Sequence, residues 1–139
     1  MTALLDRLLG LWQEPIDERD DPEAAFREVY ADPVSINGTL MPVSSLVERA
    51  RALQRAFDGR TTEIVDQVET PDRVAIAFYM RARHVGPLVT PVGTVTPTGG
   101  AVEVRTIDIL TIADGLITAL WVVSDELGML TQLDVVRLA

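Results

Sequence analysis

Leu4, Leu5, Leu8, Leu9 and Trp12 recur at helical spacing until Pro15 and the charged run from Asp17 to Asp21 break the pattern. An amphipathic helix over about residues 2–13 follows from that spacing. Asp21-Pro22-Glu23 reads as an N-cap with proline in the first turn, leading Ala24, Ala25, Phe26, Val29 and Tyr30 onto one face of a second helix that ends near Asp32-Pro33. Val34–Gly38 allows only a short strand and a turn, with Asn37-Gly38 supplying positive φ. Ser44 or Ser45 is placed to cap a third helix, whose stripe of Leu46, Val47, Ala50, Leu53, Gln54 and Phe57 stops at a glycine cap in Asp58-Gly59.

Beyond residue 60 the period changes to two. Thr61–Glu69, Arg73–Val85, Ala101–Ala113 and Leu116–Asp125 are rich in β-branched residues and read as strands. Three helices followed by an antiparallel meander predict one α+β domain over residues 1–139, the sheet wrapped around the helices. The uncharged segment Gly86–Gly100, with Pro87, Pro91, Pro97 and four glycines, is either a lid or contact loop or a long irregular hairpin.

Alternation also says which polar groups face inward. Val74, Ile76, Phe78, Met80, Ala82 and His84 form the apolar face of their strand, so the single histidine is either a satisfied core residue or a donor and base in a pocket. Val102, Val104, Thr106, Asp108, Leu110 and Ile112 form another such face, and Asp108 is its only charge. Desolvation would raise its pKa and suit it to general-acid work, unless it is paired or the strand turns it outward. With a two-residue turn at Asp114-Gly115, Asp108 lies opposite Trp121, and Asp125 shares their face about 13 Å further on. The last strand thus delivers Asp125 to its end, where an apolar, helix-like tail begins.

Composition narrows the chemistry. At 139 residues and 47% apolar content the chain can bury a core without staples, and the absence of cysteine removes thiolate, disulfide and iron-sulfur chemistry. One histidine excludes multi-histidine metal sites, and no metal site is expected. All 12 basic residues are arginines, which excludes lysine Schiff-base chemistry. Their scatter against 21 acids, for a net charge of −9, disfavours nucleic acid. A charged N-terminal helix without a cleavage site, and no apolar run of about 20 residues, lead us to expect a soluble cytoplasmic protein without membrane attachment.

Three motifs carry a resemblance. Arg83-His84-Val85-Gly86-Pro87-Leu88-Val89 resembles the R-H-V-G-x-L-V segment of the SnoaL-like polyketide cyclases, or ester cyclases. Ile112-Ala113-Asp114-Gly115-Leu116-Ile117 resembles their "dGkI" hairpin, and Asp125–Leu133 resembles their D-x-x-G-x-L-x-Q-L ending. The resemblance implies the cone-shaped barrel of the nuclear transport factor 2-like superfamily, three helices on a curved antiparallel sheet, and pairing with a second copy into a homodimer. It makes Asp125 the acid/base and His84 a pocket residue. Where the family carries a histidine this chain has Asp108, a position resembling the protonated oxyanion-hole acid of ketosteroid isomerases. Asn37 and Trp12 fall near that isomerase's base and tyrosine without matching their chemistry.

The reading that follows is a cofactor-free intramolecular aldol closure of an apolar, polyketide-type substrate. Asp125 would remove the proton, Asp108, His84 or Trp121 would orient carbonyl oxygens, and Phe78 and Met80 would enclose the substrate beside Trp12 and Asn37. A conjugated enolate needs no metal, only positioning and a proton carrier. Double-bond isomerisation, epoxide or dehydration chemistry, and a non-catalytic module binding a small molecule are the alternatives.

Overall fold

The computed structural model describes residues 2–139, the side chain of Thr2 excepted. Helix α1 spans Thr2–Gln13, as its leucine spacing predicts, and a short 3-10 turn at Ile16–Glu18 follows. Helix α2 covers only Pro22–Arg27, capped by the Asp21 side chain, which accepts from Ala24 N–H at 3.1 Å. The expected continuation toward Asp32-Pro33 is replaced by strand β1, Tyr30–Ile36. Val29 and Tyr30 join the sheet instead, where the Ile117 N–H donates to the Val29 carbonyl at 2.9 Å. Pairing with a buried strand outweighs the weak helical preference of that segment.

Strand β2 is Thr39–Met41, and helix α3 spans Val43–Ala56. Neither Ser44 nor Ser45 caps α3. Pro42 occupies the cap position, and the orphan Val43 N–H is satisfied by Asp32 Oδ1 at 3.0 Å. At the other end, Phe57 turns directly into strand β3, Phe57–Glu69, so Gly59 is not a helix cap. Its φ of +61° falls instead in a bulge of β3 between Asp58 and Thr61.

Strands β4 (Arg73–His84), β7 (Ala101–Ala113) and β8 (Leu116–Ser124) follow the alternation. Between β4 and β7 the segment that lacks charge forms a small hairpin of its own, β5 (Leu88–Thr90) and β6 (Gly93–Val95). Helix α4, Glu126–Gln132, closes the chain. The main sheet runs β2-β1-β8-β7-β4-β3. It is mixed, since β1 lies parallel to β8, which corrects the all-antiparallel expectation.

The inward face of the sheet meets two clusters of buried side chains. The larger joins α1, α2 and α3 to the sheet through Leu8, Leu11, Phe26, Val34, Val47, Ile76, Leu110 and Ile117. The smaller gathers Ala56, Phe57, Leu88, Val102, Val104, Met129 and Leu133, and so binds α4 and the hairpin to the opposite end of the sheet. At that end the segment just beyond β4 is tight against the end of α3: a Cβ on Gly86 would lie 2.0 Å from the Arg55 carbonyl oxygen.

Candidate functional site

Between the two clusters the inward face is not fully closed. Phe78, Met80, Asp108, Val122 and Ser124 all point inward by register, yet each stays partly reached by solvent. Large inward side chains that keep contact with water mark an opening in the cone rather than a packed core.

Register fixes the polar groups of that opening. Asp108 pairs with Ile76 on β4 and Val122 on β8, and the next inward row is Phe78–Thr106–Ser124. Thr106 Oγ1 and Ser124 Oγ lie 3.0 Å apart. Because each hydroxyl has one proton and the pair uses one, a second proton is left to donate. From the helical side, Trp12 Nε1 donates to Tyr30 Oη at 2.8 Å, and Phe26 packs against both rings. With its oxygen already accepting from Trp12, the Tyr30 O–H points elsewhere.

Asp108 Oδ1 is buried and has no hydrogen-bond partner among the described residues. Burial pushes the carboxyl up to about 6. Burial likewise raises Tyr30, against the lowering effect of the Trp12 bond, and the charge of Asp108 adds to the rise. Tyr30 therefore stays a neutral donor near an acid poised close to neutrality.

Asp125 stands in a different environment. Its Oδ2 is 2.8 Å from Arg105, a residue of the outward row, and its Oδ1 accepts from Gly128 N–H at 2.9 Å to cap α4. The Arg105 bond and then the Gly128 N–H hold it below the usual carboxylate range. Trp121 is likewise elsewhere. Thr118 is an extra residue in β8, so the parity implied by the turn is reversed and Trp121 lies opposite Ile109, 58% exposed on the outer face. The expected shared face of Asp108, Trp121 and Asp125 does not form.

His84 is fully buried, its ring tilted against that of Phe57 in the smaller cluster at 5.9 Å between centroids. It lies eight residues along β4 from Ile76, the partner of Asp108, or about 27 Å at strand rise, so the two do not share one site. Its Nδ1 accepts from Thr98 N–H at 3.2 Å and lies 3.0 Å from Thr98 Oγ1, which fastens the base of the hairpin. Asn37 does lie beside the Asp108 row. However, its amide is spent on the Val122 backbone, accepting at 2.8 Å and donating at 3.2 Å.

The structure therefore brings together Asp108, Trp12, Phe78 and Met80 and adds Tyr30, Thr106 and Ser124, which the sequence reading missed. Alternation along β7 marks Thr106 as an inward position, whereas the helical spacing of the segment before Asp32 hides Tyr30. A separate groove of about 400 Å³ between the ends of α1 and α3, lined by Gln54, Arg51, Arg55 and Arg60, opens elsewhere and does not include Asp108.

A curved α+β cone with an acid in its opening defines a class of small pocket-bearing domains. The SnoaL-like polyketide cyclase model matches residues 7–133, and the chain belongs to that family. Its fold is similar to TsrD from Streptomyces laurentii, with a TM-score of 0.81 at 20% identity, over 97% of this chain and 95% of that one. It is also similar to IdmH from Streptomyces antibioticus, provisionally described as a polyketide cyclase, with a TM-score of 0.70 at 26% identity over 94% and 98% of the chains. AclR from Streptomyces galilaeus, provisionally described as a hydroxylase, gives a TM-score of 0.73 at 21% identity over 99% of both. No curated protein matches the sequence.

Proposed function

We propose that the protein closes a carbon-carbon bond within an apolar, polyketide-type carbonyl substrate, with Asp108 as its proton carrier. The observation that carries this reading is the Asp108 carboxyl itself: inward-facing, with one oxygen buried and unpaired, in the opening between the two clusters. Family membership and the likeness to IdmH support the reaction class.

The ionised Asp108 removes a proton from a carbon between two carbonyls. The enolate carbon attacks a ketone or aldehyde of the same molecule, and the new alkoxide takes the proton back from the Asp108 acid. One carboxyl thus serves both steps. An acid that titrates near 6 is well matched to this cycle, because both of its forms are accessible near neutrality. Tyr30 and the Thr106–Ser124 pair supply neutral donors for carbonyl oxygens, while Trp12, Phe78 and Met80 hold the apolar skeleton. Asp125, which the family resemblance makes the acid/base, is a weaker base here because Arg105 and Gly128 already occupy its oxygens.

The test is cyclisation of an anthraquinone-type β-keto ester, followed by mass, in wild type, Asp108→Asn and Asp125→Asn. Loss of product in Asp108→Asn with turnover kept in Asp125→Asn supports the reading, and the reverse pattern overturns it. Migration of a β,γ-enone double bond without cyclised product would assign the same carboxyl to isomerisation.

A further inference from the structure

Arg19, Arg27, Arg51, Arg81 and Arg105 each lie within 3.3 Å of a carboxylate oxygen. Arg60 does not. Its guanidinium is half-buried in the groove between the ends of α1 and α3, where it donates to the Trp12 carbonyl at 2.8 Å. A backbone carbonyl takes one of five N–H donors and carries no net charge, so burial weakens the hold of this group on its proton with no acid to offset it. Arg55 lines the same groove from the last turn of α3, exposed and with no carboxylate partner among the described residues.

We infer that this groove binds a small organic anion, whose phosphate or carboxylate group sits between Arg55 and Arg60. Charge is the first argument. The chain carries −9, yet this concavity holds two guanidinium groups without ion pairs, and the planar fork of each fits an oxyanion in two hydrogen bonds. The acids on the rim are engaged elsewhere. Asp17 lies 3.3 Å from Arg51, and Asp58 Oδ1 accepts from the Gly59 N–H at 2.9 Å.

Shape is the second argument. A volume of about 400 Å³ falls within the range of small-molecule sites and exceeds what a bare oxyanion fills, so the anion comes with an organic body, for which Pro15 and Phe57 offer apolar wall. The walls are also tied in advance. Gln54 accepts from the Ile16 N–H at 2.8 Å and donates to the Glu14 carbonyl at 2.8 Å, while the Gln13 amide donates to the Arg60 carbonyl at 2.9 Å. A groove held open by such bonds loses little freedom when a ligand enters. Trp12 stands between the two sites, its carbonyl held by Arg60 here and its indole donating to Tyr30 in the opening of the cone, so it reports on the groove.

NMR shifts of the backbone amides and the Trp12 indole, followed while the full chain is titrated in low salt with phenyl phosphate, benzoate or benzyl alcohol to about 10 mM, test this. Saturable shifts at Gln13, Gln54, Arg60 and the Trp12 indole are expected with an anion and not with benzyl alcohol. The tighter of the two anions tells a phosphate ester from a carboxylate. Arg60→Gln and Arg55→Gln, the latter a change of an exposed side chain, are each expected to weaken binding about ten-fold or more. Near-ultraviolet circular dichroism verifies folding, and if Arg60→Gln fails to fold, Arg55→Glu decides by abolishing the shifts. The proposal is overturned if neither anion saturates, if benzyl alcohol binds as tightly, or if the folded Arg55 variants bind like wild type. Asp108→Asn is expected to keep the wild-type affinity, so this result and the cyclisation result stand or fall separately.

Discussion

Arg105 holds Asp125 at 2.8 Å while the Gly128 N–H takes the other oxygen of the same carboxylate. That arrangement spends Asp125 on joining the end of β8 to the start of α4, and it leaves Asp108, among the described residues, as the carboxyl with a buried oxygen that no hydrogen bond meets.

Exchange of the proton carrier should therefore separate the two acids. Asp108→Asn is expected to lower kcat by about 10²-fold or more, the usual worth of a positioned acid/base. Asp125→Asn is expected to keep kcat within a few-fold and to weaken the molecule instead. A kcat–pH profile of wild type with a limb near pH 6, absent from the residual activity of Asp108→Asn, would check the assignment.

Stability should report the same carboxyl with a definite sign. The folded pKa of Asp108, about 6, lies above the ordinary value of 3.8, so the folded state binds the extra proton. Its contribution is fully present below about pH 4 and is lost as pH rises through 6. Asp108→Asn should thus be more stable than wild type at pH 8, by at most about 2–3 kcal/mol, and indistinguishable near pH 4. Urea melts at the two pH values measure it.

Asp125 and Asp32 carry the opposite sign. Arg105 and the Gly128 N–H lower the first, and the Val43 N–H and then Arg27 lower the second. Their stabilisation is present above the ordinary carboxylate pKa and is lost as pH falls below it. Asp125→Asn and Asp32→Asn should both narrow the gap between acid and neutral melting temperatures, while Asp108→Asn widens it.

Trp12 and Tyr30 share one partly buried hydrogen bond, and removing one partner strands the other. Tyr30→Phe should cost about 1–3 kcal/mol by leaving the indole N–H unpaired, while Trp12→Phe frees the Tyr30 oxygen to be met by water or substrate. Denaturant midpoints of the two variants and their double mutant give the coupling. An additive cycle would show that the bond adds nothing.

Gly86→Ala should be among the most damaging single changes outside the pocket. The added carbon would lie 2.0 Å from the Arg55 carbonyl oxygen, which is backbone and cannot swing aside. A loss of about 3 kcal/mol or more is expected, read as a lower melting temperature or insoluble protein. Wild-type stability in the variant would refute the close packing of the segment beyond β4 on the end of α3.

The sequence by itself determined what depends on neighbours a few residues apart. The leucine stripe of α1, the inward rows of β4 and β7, the Asp114-Gly115 turn and the place of Asp108 on an inward face were all legible, because helical and strand periods are local. Three matters were decided only in the folded chain. Tyr30 became a strand residue because β8 lay ready to pair with it, Asp32 became the cap of a helix that starts eleven residues later, and one unpaired residue, Thr118, turned Trp121 from the pocket to the outer face. Each depends on where a distant segment of backbone comes to rest, and parity along a strand is reset by a single bulge. The candidate acid was therefore visible in the sequence, but its company, and the ion pair that removes Asp125 from it, belonged to the tertiary structure.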